Sequence, residues 1–214
     1  RSATRSGNKG TFGKVLLVAG SVNMAGAAVL SARAACRTGA GMVKVITPAK
    51  NRVILQQAVP EALLGTAEEL RQSMEWADVI AIGPGLGRNG RALSCLGQGI
   101  EEGRKPLLID ADGLNLLALH PQLRDTLAGQ GMAGRPVVLT PHVGELARLV
   151  GSTVDDCKRD LPAAAMGLAR ELHGTVAAKD ARSFICGQGH GICVNVSGNS
   201  GMATAGSGDV LAGI

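Results

Sequence analysis

Short apolar runs rich in Val, Ile and Leu recur along most of the chain, separated by longer stretches with helical spacing of small and polar residues. That alternation marks βαβ units. A strand covered on both faces reads as an unbroken apolar run, whereas the covering helix shows a period of about 3.6 residues. The predicted strands are Lys14–Ala19, Met42–Thr47, Asp78–Ile82, Pro106–Ile109, Pro136–Leu139 and Thr175–Ala178. Between the first two lies a small-residue helix, Ala25–Thr38, stopped by Gly39 and Gly41, and such a connection crosses over with a right hand. After Lys179 the rhythm changes: Ser183–Cys186 and Ile192–Val196 flank a glycine-rich turn, Gly187 to Gly191, and predict an antiparallel hairpin at one sheet edge.

No internal repeat, low-complexity segment or Pro/Gly/Ser linker divides the sequence, so residues 1–214 are read as a single α/β domain behind a polar, linker-like tail, Arg1–Gly10. Its last residues run only a little way into a helix beginning near Gly208, and the expectation is a C-terminally truncated domain.

Composition narrows the function. With 45% hydrophobic and 18% charged residues the chain can bury a real core. Aromatic residues are confined to Phe12, Trp76 and Phe184, which counts against single-stranded nucleic-acid binding, where bases need stacking platforms. The net charge of +5 is scattered rather than gathered in a run, so it implies no more than a mild attraction for anions. Five cysteines without a C-x-x-C pair argue against a disulfide framework or a structural zinc site, and fit a reducing cytoplasm. Neither an apolar leader nor an apolar run of about 18 residues is present in the sequence, so no membrane is expected as a partner.

Ligands of open α/β sheets bind beyond the carboxyl ends of the strands. Here those ends run into Gly20-Ser21-Val22-Asn23, Gly83-Pro84-Gly85-Leu86-Gly87, Asp110-Ala111-Asp112-Gly113-Leu114-Asn115 and Thr140-Pro141-His142-Val143-Gly144-Glu145. Each alone has a bland explanation. The glycines can simply turn the chain, Asp112 can be a helix N-cap, Glu145 a first-turn carboxylate, and His142 a loop residue bonded to backbone. Four at one rim point to a site. The strongest segment is Gly198-Asn199-Ser200-Gly201-Met202-Ala203-Thr204-Ala205-Gly206-Ser207-Gly208-Asp209-Val210-Leu211-Ala212-Gly213-Ile214. Its glycines let the amides of Ala205 to Asp209 approach a phosphate at a helix start, and Asp209, kept ionised by the helix dipole, is the candidate base for an attacking hydroxyl.

At these residues the chain resembles the ribokinase-like superfamily, with its G-x-G-D anion hole and catalytic aspartate. Within it, G-N-S-G-M-A-T-A-G-S-G-D-V-L-A-G-I, L-T-P-H-V-G-E, I-D-A-D-G-L-N-L-L and I-G-P-G-L-G resemble the signatures of the ADP- or ATP-dependent NAD(P)H-hydrate dehydratases, from about Lys9 to Ile214. The resemblance implies a three-layer αβα fold with a mostly parallel sheet. It also implies repair of hydrated NADH or NADPH by phosphorylation of the hydrate hydroxyl and loss of phosphate, with ADP or ATP as co-substrate and Mg2+. By the same matching, Asp209 is the base; Ala27, Gly85, His142 and Asp209 contact the hydrate; and Lys179, Asp180, Ala181, Arg182, Ser183, Gly206 and Gly208 contact the nucleotide; no metal ligand is assigned, and Glu145, through water, is a candidate. A homo-oligomer, and an epimerase domain fused in the full-length protein, are implied as well. Two departures from the family pattern stand out: Lys179-Asp180-Ala181-Arg182-Ser183 lacks the usual glycine after lysine and the closing threonine, and Ala205-Gly206-Ser207-Gly208-Asp209 replaces G-G-T-G-D. Two other functions share such a site: a small-molecule kinase of the superfamily, and a non-catalytic nucleotide-binding module.

Overall fold

The computed structural model describes residues 10–187, 189 and 191–214, so the predicted tail, except for Gly10, lies outside the described residues, as do two positions of the predicted hairpin turn. Nine strands form one sheet: β1 (Lys14–Val18), β2 (Met42–Ile46), β3 (Leu63–Gly65), β4 (Val79–Ile82), β5 (Leu107–Ile109), β6 (Val137–Leu139), β7 (Thr175–Ala178), β8 (Ser183–Gly187) and β9 (Cys193–Asn195). Their order is β3-β2-β1-β4-β5-β6-β7-β8-β9. All pairings up to β6 with β7 are parallel, and the last two are antiparallel.

The helices are α1 (Ala25–Arg37), α2 (Arg52–Ala58), α3 (Leu70–Trp76), α4 (Gly90–Glu101), α5 (Asp112–Leu119), α6 (Pro121–Met132), α7 (Val143–Val150), α8 (Val154–Arg159), α9 (Leu161–Glu171) and α10 (Ser207–Ala212). Side chains alternate along each strand, which assigns every helix to a face. Leu16, Val18, Ile46, Ile80, Ile82, Ile109, Leu139 and Val176 point into one core built with α3 to α9. Leu17, Ala19, Val43, Val45 and Ala81 point the other way, against α1 and α2. The small residues of α1 matter here: Ala25, Ala28, Ala32 and Ala35 line the buried stripe and let the helix lie close to the sheet.

On the second face, α10 packs on α1. The Ser31 hydroxyl donates to the carbonyl of Asp209 at 2.8 Å, and a side chain at Gly213 would begin 2.1 Å from the carbonyl oxygen of Ser31. The rest of that face is thinly covered, for Leu108, Val138 and Ala177 are only half-buried. Above them, at the carboxyl ends of β5 to β7, the cleft opens.

Candidate active site

Each strand delivers a different group to this rim. After β4 the chain turns at Gly83, whose φ of +132° suits glycine alone and whose missing side chain is a spatial necessity, because a Cβ would lie 1.8 Å from the carbonyl oxygen of Asp110. Backbone therefore touches backbone. Gly20 N donates to Pro84 O at 2.8 Å, tying the loop after β1 to it. A Cβ on Gly85 would stand 2.7 Å from that of Ala27, so two of the residues predicted to contact substrate are in direct apposition. Asp112 corrects one reading. The N-cap of α5 is Ala111, at φ +49°, with no side-chain cap, and the Asp112 carboxylate instead reaches across to accept from Gly87 N at 2.8 Å. It ties the glycine loop to α5.

His142 and Glu145 form a reciprocal capping box at the start of α7. His142 Nδ1 accepts from the amides of Gly144 and Glu145 at 3.0 and 3.3 Å, while a Glu145 oxygen accepts from His142 N at 2.9 Å. With Nδ1 an acceptor, the imidazole proton sits on Nε2, 3.4 Å from the Glu145 carboxylate. Burial first, then the Lys179 and Arg148 charges, depress the His142 pKa below that of an ordinary imidazole, which favours the neutral ring. Glu145 is 5% exposed, and burial, opposed by the His142 amide, pushes its pKa up to about 7. The capping reading of His142 therefore holds, and it does not bury the residue: one nitrogen serves the helix, and the side chain remains 55% exposed.

Across the cleft, α10 begins at Gly206, in the left-handed region at φ +89°; a side chain there would also start 2.4 Å from the Leu30 Cδ1 methyl. The positive φ therefore falls on Gly206 and not on Gly208. The Ser207 amide is engaged with Thr204 O at 3.3 Å, and the ladder of the helix opens with Val210 N to Gly206 O at 3.0 Å. Of the five amides predicted, that of Ser207 is thus engaged within the loop, and those of Gly208 and Asp209 stand just ahead of that ladder. Asp209 lies in the first turn, half-buried. Burial and the neighbouring Asp110 carboxylate raise its pKa, against Lys179, which lowers it. The helix dipole was expected to hold this group ionised; the raised value brings it nearer to that of a proton acceptor working near neutrality.

Lys179 joins the two sides. Its amide donates to Pro141 O at 2.7 Å, and its ammonium binds Asp110 Oδ1 at 2.8 Å. The same nitrogen is 3.5 Å from where a Gly208 side chain would begin. Asp180, Ala181 and Arg182 form an exposed turn, and Ser183 opens β8, half-buried. A cavity of about 250 Å3 opens at the same rim, lined by residues that include Ser21, Thr47, Leu86, Arg88 and Arg91, but it includes neither Asp110, Lys179 nor Asp209. The reactive groups collect in the open cleft beside it. Two residues that the sequence does not single out, Asp110 and Thr140, are buried at its floor. The one signal for them was their position at strand ends.

The family model described as NAD(P)H-hydrate dehydratase matches residues 15–214. The chain belongs to the NAD(P)H-hydrate dehydratase family. Among relatives, it is 39% identical over 209 residues to a bifunctional NAD(P)H-hydrate repair enzyme of Escherichia coli, covering 97% of this chain and 38% of that protein. It is 37% identical over 219 residues to an ADP-dependent (S)-NAD(P)H-hydrate dehydratase of Neisseria meningitidis, covering 100% and 71%. The chain spans about two fifths of the length of the bifunctional relatives it matches. Among solved structures, a ribokinase-like superfamily protein of Enterococcus faecalis superposes with a TM-score of 0.86 at 32% identity, covering 99% of this chain and 72% of that one. A Bacillus subtilis ADP/ATP-dependent NAD(P)H-hydrate dehydratase, co-crystallized with ATP/Mg2+, gives 0.83 at 26% identity over 99% and 74%. The fold of this family member is thus ribokinase-like, a mostly parallel α/β sheet with helices on both faces. None of its described helices is long and apolar enough to cross a membrane.

Proposed function

We propose that the protein carries out nucleotide-dependent dehydration of hydrated NADH or NADPH. The observation that carries this reading is the convergence of Asp209, the Lys179–Asp110 ion pair and the first-turn amides of α10 on one point opposite His142. The terminal phosphoryl group of ADP or ATP is held by the Gly208 and Asp209 amides and by the Lys179 ammonium, all complementary to charge that builds on phosphate oxygens. Asp209 takes the proton of the hydrate hydroxyl as its oxygen bonds to phosphorus and the bridging oxygen leaves with the shortened nucleotide. The C–O bond of the phosphorylated hydrate then breaks, phosphate departs with the bonding pair, and loss of the neighbouring ring proton restores the dihydropyridine. Ala27 and Gly85 leave a flat wall for the dinucleotide, and His142 donates from Nε2 on that acceptor side.

Mg2+ fits the donors present. Among the described residues no group of three or more His, Cys, Asp or Glu side chains could enclose an ion, but Mg2+ is ordinarily held by one or two carboxylates with phosphate and water completing its shell. Glu145, through water, is the residue to hold it, and the ion would neutralise phosphate charge. The turn Asp180–Ser183 flanks Lys179 on the nucleotide side. We further place this chain as one domain of a longer, cytoplasmic, homo-oligomeric enzyme that carries an epimerase domain.

The test is incubation of the full-length protein with NADH hydrate and ADP or ATP with Mg2+. Recovery of dihydronicotinamide absorbance supports the reading. Accumulation of a stable phosphorylated alcohol without that recovery would assign a kinase, and nucleotide binding without turnover a binding module.

A further inference from the structure

Thr140 stands one step beyond the last paired residues of β5 and β6, Ile109 and Leu139, and is therefore level with Asp110. Its amide donates to Ile109 O at 3.3 Å. Residues level with one another in parallel strands leave the sheet on the same face, with the strands about 4.8 Å apart. The Thr140 and Asp110 side chains are thus neighbours on the face that carries α1 and α10.

The Thr140 side chain is buried, at 4% exposure, and its Oγ1 has no hydrogen-bond partner. Among the described residues one other buried side-chain polar atom shares that status, Arg124 Nε, and it lies against the Glu171 carboxylate. Thr140 is the case without compensation. An unpaired buried hydroxyl is destabilising, and valine would fill the same space without that penalty. Asp110, 1% exposed, has Lys179 Nζ as its one side-chain partner among the described residues, although a carboxylate has about four acceptor positions. The ammonium that compensates it already faces the phosphate position at Gly208.

We propose that Thr140 is a positioning residue for phosphate binding, its hydroxyl reserved for the loaded site. When a phosphate oxygen takes a share of the Lys179 ammonium, Thr140 Oγ1 donates a hydrogen bond to the Asp110 carboxylate and keeps that buried charge compensated. Only a turn about χ1 between staggered wells is required, and no covalent bond changes. The inference rests on nucleotide phosphate binding at Gly208 and Asp209, as proposed above.

The experiment compares Thr140→Val, which keeps the shape and removes the hydroxyl, with Thr140→Ser, which keeps the hydroxyl, both in the full-length protein. Without nucleotide, T140V melts at or above the wild-type temperature, because an unpaired group has been removed. With Mg·ADP alone, calorimetry shows affinity weakened about ten- to a hundred-fold, the usual worth of a hydrogen bond to a charged group. T140S restores most of it, and in an Asp110→Asn background T140V has no further effect. A T140V variant that binds Mg·ADP like the wild type overturns the role of Thr140 alone. So does one that melts lower without nucleotide and is not rescued by serine, or whose defect shows only with NADH hydrate. If the wild type itself does not bind Mg·ADP, the nucleotide reading falls and this inference with it.

Discussion

Replacing Lys179 by methionine keeps the length of the stem and removes the charge, which isolates the ion pair at the floor of the cleft. The Asp110 side chain is 2% exposed and that of Lys179 22%, with 2.8 Å between the charged atoms. Breaking a buried pair by deleting one partner destabilises by about 3–5 kcal/mol, since the remaining charge is left without compensation. Lys179 keeps some contact with water, which places the expected loss near the lower end, about 3 kcal/mol, still a large share of the roughly 5–15 kcal/mol that holds a domain folded. Urea unfolding at pH 7 and fixed ionic strength reads this as a lower midpoint at unchanged slope. The double variant Lys179→Met with Asp110→Asn removes both charges and should regain at least half of the loss, yet bind Mg·ADP no better than K179M. A K179M protein within about 1 kcal/mol of wild type would mean that the pair behaves like an exposed one, and a double variant no more stable than K179M would refute the buried-charge argument.

Asp209→Asn should lower turnover of NADH hydrate by about 10²–10⁴-fold with nucleotide affinity changed only a few-fold; near-normal turnover would remove Asp209 from the mechanism. His142→Asn separates the two roles of that residue, because asparagine also caps helices well. We expect unfolding midpoints close to wild type and hydrate turnover reduced about ten- to a hundred-fold, whereas full activity would leave His142 a cap and nothing more. For Glu145, a folded pKa of about 7 lies above the unfolded value of about 4.3. Its contribution is therefore fully present below about pH 4.3 and is lost as pH rises through 7. Without divalent metal, wild-type stability should fall from pH 5 to 8 relative to Glu145→Gln; parallel profiles would contradict the raised pKa.

Most parallel strands were legible as short runs rich in Val, Ile and Leu, and the hairpin because Gly187 to Gly191 breaks the rhythm. β3 was not. Leu63–Gly65 is too short to show a period, its first residue is exposed, and only its pairing with β2 makes it a strand. The glycine spacing of Gly206–Asp209 is what suggests the proposed anion site there, since a phosphate needs backbone that can come close. Asp110 and Lys179 lie 69 residues apart, and no local pattern announces an ion pair made by two strand ends. Asp112 misled for a similar reason: at the start of a helix a carboxylate looks like a cap, and only the fold brings the Gly87 amide within its reach.

The strand order also sets the sequence in which a ribosome can build the site. Beyond β4, each new strand adds beside the one made just before it, so the sheet can grow in step with synthesis through β9. The segment from Gly206 to Asp209 reverses that direction. It returns across the sheet to α1, a helix made near the start, and is pinned there by the bond from Ser31 to the Asp209 carbonyl. Lys179 and Asp110 are therefore in place before the proposed anion hole is made beside them. A nascent chain that has made β9 but not yet Gly206–Asp209 has the nine strands and the Lys179–Asp110 pair without the amides we propose for a phosphate.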